Sequence, residues 1–89
     1  MENQVRINGN GIAVTARDIR EEFQLTYATI NHYTNLGLFS IVKRVGNKRF
    51  YDRHEVEERF QLISKLANQG YPLSLIRRKI TEGDKDELL

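Results

Sequence analysis

Three residues, Gln24-Leu25-Thr26, separate two short helix-forming stretches and leave the surrounding chain few ways to fold. Upstream, Thr15 is placed as an N-cap. Its hydroxyl can accept from the amide of Asp18, and the Asp18 carboxylate can reach back while sitting at the positive end of the helix. Ile19 and Phe23 lie one helical turn apart and face inward, whereas Arg17, Arg20, Glu21 and Glu22 face water. Downstream, Thr26 caps a second helix from Tyr27 to Leu36, with Ile30, Tyr33 and Leu36 as its buried stripe. Gly37 ends that helix in the left-handed region, and Leu38 folds back over the last turn. Two short helices across so tight a break form a helix-turn-helix.

The segments that follow add a ribbon and two more helices. Ser40 to Val45 and Lys48 to Tyr51 are strand-like runs around Gly46-Asn47, which predicts a hairpin. A hairpin directly after a helix-turn-helix is a wing. Asp52 and Glu55 have the spacing of a capping box and open a third helix, with Val56, Phe60, Ile63 and Ala67 on its inner side. Gly70 stops it. Pro72 to about Ile80 reads as a fourth helix with Leu73, Ile76 and Ile80 inside. Arg77, Arg78 and Lys79 near its end complement the helix dipole. The expected fold is mainly α: a winged helix-turn-helix of four helices with a two-stranded wing hairpin. Residues 1–11 are expected to be a flexible tail or a short strand, Val5–Ile7 pairing with Ile12–Val14. Residues 12–81 form the domain, and 82–89 a polar tail.

Composition removes several functions. At 89 residues the chain is one domain with a modest core. It has no cysteine for disulfides or a thiolate metal site, and its two histidines fall short of an ordinary ligand set. No metal and no cofactor are expected. There is no Ser/His/Asp or Cys/His set, no carboxylate pair placed for a cleft and no glycine-rich phosphate loop, so the chain is not expected to be an enzyme. No apolar run approaches membrane-spanning length and no basic-then-apolar leader opens the chain, so a cytoplasmic protein without a membrane partner is expected.

Charge supplies the positive signal. The formal net charge is only +2, yet no aspartate or glutamate occurs from Phe23 to Tyr51. That window holds Lys43, Arg44, Lys48 and Arg49, while all the acids lie on its flanks. Clearing of acid around clustered cations is the electrostatic footprint of a surface that meets a polyanion.

These segments also resemble a known family. Gln24-Leu25-Thr26, Thr29-Ile30-Asn31-His32-Tyr33-Thr34 and Gly37-Leu38 are similar to the recognition-helix segment of MerR-type transcriptional regulators, which usually reads Gly-Val-Ser, Thr-Ile/Leu-Arg-Tyr-Tyr-Glu, Gly-Leu. Lys48-Arg49-Phe50-Tyr51 is similar to the family's wing motif Tyr-Arg-x-Tyr. Gly70-Tyr71-Pro72-Leu73 followed by Ile76 resembles its Gly-Phe-Ser-Leu…Ile step between the third and fourth helices. The resemblance covers roughly residues 12–81. Asn31 stands where the family has arginine, His32 where it has its first tyrosine, Thr34 where it has glutamate, and Ala28 where a basic residue is common. Asn47-Lys48 replaces the wing's Gly-Tyr, so Lys48 shifts part of the arginine's phosphate work onto the wing. MerR-type regulators usually continue into a long helix that pairs two subunits. The sequence shows no heptad run for one, so either a longer protein carries this module or the module works alone.

What the resemblance implies is a sequence-specific regulator of transcription whose partner is double-stranded DNA. The first turns of the second helix supply the candidate groove contacts: Tyr27, Ala28, Thr29, Asn31 and His32. Ala28 or the Thr29 methyl can touch a thymine methyl, and Asn31 can pair with adenine. The Thr26 hydroxyl and the neighbouring amides can hold a phosphate. Thr15 and Arg17 are candidates at the start of the first helix. On the wing, Lys43, Arg44, Asn47, Lys48 and Arg49 are candidates, with Arg44, Asn47 and Lys48 expected nearest the backbone and Arg49 expected either there or paired with Glu55. A module this small has limited affinity, which calls for self-association or a partner protein. Two other functions fit the same fold: an excisionase-like protein that bends DNA, and a winged helix reused to bind proteins.

Overall fold

The computed structural model describes residues 5–7 and 11–82. Its elements are β1 (Val5–Ile7), β2 (Gly11–Thr15), α1 (Ala16–Phe23), α2 (Tyr27–Asn35), β3 (Ile41–Val45), β4 (Lys48–Asp52), α3 (Arg53–Asn68) and α4 (Leu73–Thr81). Residues 1–4 and 8–10 of the expected N-terminal tail, and the expected polar tail from residue 83 onward, lie outside the described residues.

Local caps fold as their residues dictate. The Asp18 amide donates to Thr15 Oγ1 at 3.2 Å and the Thr15 amide to Asp18 Oδ2 at 3.0 Å, a complete capping box. Thr26 Oγ1 accepts from the Thr29 amide at 3.1 Å and starts α2. Gly37, at φ +84, turns the chain out of α2, and the Leu38 amide donates back to the Tyr33 carbonyl at 2.9 Å. Gly46, at φ +60, makes the two-residue turn of the β3–β4 hairpin, whose last rung pairs Val45 with Lys48.

The two-stranded wing needs correction. The hairpin is half of a four-stranded antiparallel sheet in the order β1-β2-β4-β3. β2 pairs with β4 through Ala13–Asp52, Val14–Tyr51 and Thr15–Phe50, and β1 adds to the outer side of β2. The strand that leads into α1 thus anchors the wing to the first helix. One residue earlier along β3 than the regular rungs, the register slips between Ile41 and Lys43, a bulge that leaves Val42 exposed.

Above this sheet the core gathers Val14, Ile19, Ile30, Leu38, Phe39, Tyr51, Val56, Ile63, Leu66 and Ile76. Tyr33, Phe39 and Tyr51 run edge to face, with centroid separations of 5.4 and 6.4 Å. On α3 the buried positions are Val56, Ile63 and Leu66, whereas the expected Ala67 is exposed. Asp52 caps α3 through the His54 amide at 3.0 Å, but Glu55 does not close the predicted box. Its Oε1 accepts from the Ser40 amide at 3.0 Å and secures the chain between α2 and β3. α4 starts at Leu73, with Pro72 as its cap residue. Arg77 Nε donates to the Leu36 carbonyl at 3.2 Å, so a residue expected to serve the α4 dipole also satisfies the end of α2. Lys79 is buried with its ammonium 5.2 Å from the centre of the Tyr71 ring.

Gln24 ends α1 at φ 61, the only described non-glycine residue in the left-handed region. A side chain there costs about 1–2 kcal/mol, partly offset by the lower chain entropy that glycine would forfeit. Gln24→Gly is therefore expected to raise stability by roughly 0.5–1 kcal/mol. A urea titration that shows no gain, or a loss, contradicts this account of the turn.

Candidate nucleic-acid interface

The helix-turn-helix and the sheet meet where α2 contacts β4. Strand alternation and register fix what the hairpin offers there. Arg44 pairs with Arg49, so both project from the same face of the ribbon as Tyr51, while Lys43, paired with Phe50, and Lys48 project from the other. The expected grouping of Arg44 with Lys48 is therefore split between two faces. A cleft of about 400 Å³ brings together Thr15 and Arg17 from the start of α1, Tyr27 from the start of α2, and Asn47, Lys48 and Arg49 from the hairpin. Thr26, Ala28, Thr29, Asn31, His32, Lys43 and Arg44 lie outside its walls.

Each candidate has a definite environment. Thr15 is only 8% exposed, and its oxygen is committed to the capping box. Arg17 is exposed and paired with Glu21 at 3.2 Å, one turn along α1. An exposed pair of this kind contributes little and exchanges readily for another anion. Thr26 Oγ1 donates to Thr29 Oγ1 at 3.0 Å, so the two threonines hold each other at the tip of α2. Tyr27 is 47% exposed, with the Arg20 guanidinium 5.1 Å above its ring. Ala28, Asn31 and His32 are exposed, and Thr29 is half-buried.

Cations on the helices and on the hairpin are treated differently. Arg53 bridges Glu22 and Glu57, and its hydrogen bond to Glu22, against the opposing effect of burial, raises its pKa above the ordinary arginine value. Arg59 lies 4.0 Å from Glu55, and Arg78 lies 3.7 Å from Glu82. On the hairpin, Lys43, Arg44 and Lys48 are exposed and have no ion-pair partner among the described residues. No cluster of described residues can hold a metal ion.

Arg49 does not pair with Glu55. Its Nη2 donates to Asn31 Oδ1, and its guanidinium lies 5.8 Å from the centre of the Tyr51 ring. Two residues further along β4, Tyr51 reaches Thr34, with 2.9 Å between the hydroxyl oxygens. Thr34 Oγ1 gives its own proton to the Ile30 carbonyl at 2.7 Å, so Tyr51 is the donor in that pair. Positions 49 and 51 of the strand thus clasp positions 31 and 34 of the helix. Thr34 and Tyr51 were not among the expected site residues. The signal was present in the periods: residues two apart on a strand share a face, as do residues three apart on a helix.

Two helices across a tight turn, with a basic hairpin clasped to the second helix, define a winged helix-turn-helix. The family model of the MerR HTH regulatory proteins matches residues 14–82, and the chain belongs to that family. Its class is accordingly that of DNA-binding regulators of transcription. No curated protein and no solved structure gave a match. None of the described helices is long and apolar enough to cross a membrane.

Proposed function

We propose that the domain binds duplex DNA sequence-specifically, with the exposed side of α2 in the major groove and the hairpin on the adjacent backbone and minor groove. The observation that carries this function is the shared cleft. One concave surface joins the start of α2 to the hairpin tip, and the acid-free stretch of sequence supplies most of its wall. A B-form major groove admits one α-helix, and the exposed Tyr27, Ala28, Asn31 and His32 are the side chains α2 presents to it.

The hairpin itself favours an anionic partner. Arg44 and Arg49 face each other directly across the ladder, an arrangement of like charges that costs rather than contributes stability. A phosphate between them reverses the sign of that interaction. Arg17, Lys43 and Lys48 extend the cationic surface to either side. Neutralising three to five phosphates gives log K a slope of roughly −3 to −5 against log salt. Fluorescence anisotropy with a random-sequence duplex between 50 and 200 mM salt, a window of about fourfold, measures it. A winged helix reused to bind proteins gives no such binding, and a flat response removes the DNA function.

A further inference from the structure

We infer, on the basis of the DNA binding proposed above, that Arg49 is a positioning residue for base recognition: it fixes the side-chain amide of Asn31, and the two act as one reading unit. An asparagine amide has one accepting and one donating end, and which end meets a base decides what it can read. Arginine has donors only, so its bond to Asn31 requires the amide oxygen to face Arg49. The Nδ2 end has no hydrogen-bond partner among the described residues, and Asn31 is exposed on α2. The amide therefore offers its donors outward, toward an acceptor on a base edge such as purine N7.

The guanidinium is itself held in place. It lies against the ring of Tyr51, which is fully buried and hydrogen-bonded to Thr34 on α2. The orientation of Asn31 is thus set from the wing through a side chain that is anchored in the core. A free asparagine on a helix surface samples both amide orientations and several rotamers, which weakens discrimination between bases. Arg49 removes that freedom before DNA arrives.

The test uses the preferred duplex selected by the intact protein from a random pool, with every base pair then varied in turn. Asn31→Ala is expected to lose about tenfold discrimination at one base pair. Arg49→Met is expected to lose the same discrimination at the same base pair, and the double variant no more than either. Arg44→Met removes an equal charge from the opposite strand and is expected to weaken binding to all duplexes evenly. Asn31→Asp keeps a partner for Arg49 but removes both amide donors, so it too must lose discrimination at that base pair. The inference is overturned if Arg49→Met behaves as Arg44→Met does, with the base preference intact. It is overturned equally if Asn31→Asp retains that preference. Should the intact protein show no salt-dependent binding to any duplex, the DNA function falls first and this inference with it.

Discussion

Tyr51→Ala is expected to lower the stability of the domain by about 3–5 kcal/mol, enough to unfold much of it at physiological temperature. Tyr51 is the largest fully buried side chain, and it joins the sheet to α2. It pairs with Val14 of β2 and Ile41 of β3 across the sheet, contacts Phe39 edge to face and reaches Thr34 of α2 through its hydroxyl. A small domain has few other contacts to compensate. Thermal unfolding followed by circular dichroism should show Tm falling by about 15 °C or more. Tyr51→Phe separates packing from polarity. It keeps the ring and removes the donor to Thr34, for a loss of about 0.5–1.5 kcal/mol. If Tyr51→Ala shifts Tm by only a few degrees, the sheet and α2 are not joined through this side chain.

The contrast between local and long-range contacts explains what the sequence makes legible. Thr15–Asp18 and Thr26–Thr29 are bonds between residues three apart, so the cap and its partner can be read together from local spacing alone. Gly46-Asn47 likewise announces the hairpin, because a two-residue turn determines its own register. The pairing of β2 with β4 joins residues far apart in sequence, and a strand as short as Gly11–Thr15 carries too little alternation to name its neighbour. Side-chain partners are harder still. Glu55 has the spacing of a capping-box acid and Arg49 the charge to meet it, yet Glu55 bonds Ser40 and Arg49 bonds Asn31. Both outcomes depend on how the hairpin lies against α2, which no local pattern encodes. The candidate site was legible as a charge pattern and a helix, and its cleft is a product of tertiary packing.

Charge reversal on the hairpin should move stability and DNA binding in opposite directions. Arg44 stands directly across from Arg49 in the β3–β4 ladder, and it is exposed. Arg44→Glu replaces a like-charge pair with an opposite-charge pair, a change that favours the folded hairpin by roughly 0.2–1 kcal/mol. For a polyanion the same substitution exchanges an attraction for a repulsion. Lys48 lines the cleft from the other face of the ribbon, so Arg44→Glu with Lys48→Glu removes cations from both sides of the wing. The double variant is expected to bind duplex DNA on the order of a hundredfold more weakly at low salt, with the salt slope reduced by about two. Its Tm should be unchanged or slightly higher. A control at Arg78, which is exposed on α4 and lies 3.7 Å from Glu82, changes net charge away from the cleft. Arg78→Glu should therefore leave the slope nearly intact. Equal losses in the hairpin and Arg78 variants would mean that overall charge, rather than the wing, attracts DNA. A fall in Tm alongside the loss of binding would instead mean that Arg44 supports the fold, and the like-charge rung would lose its meaning as a site waiting for phosphate.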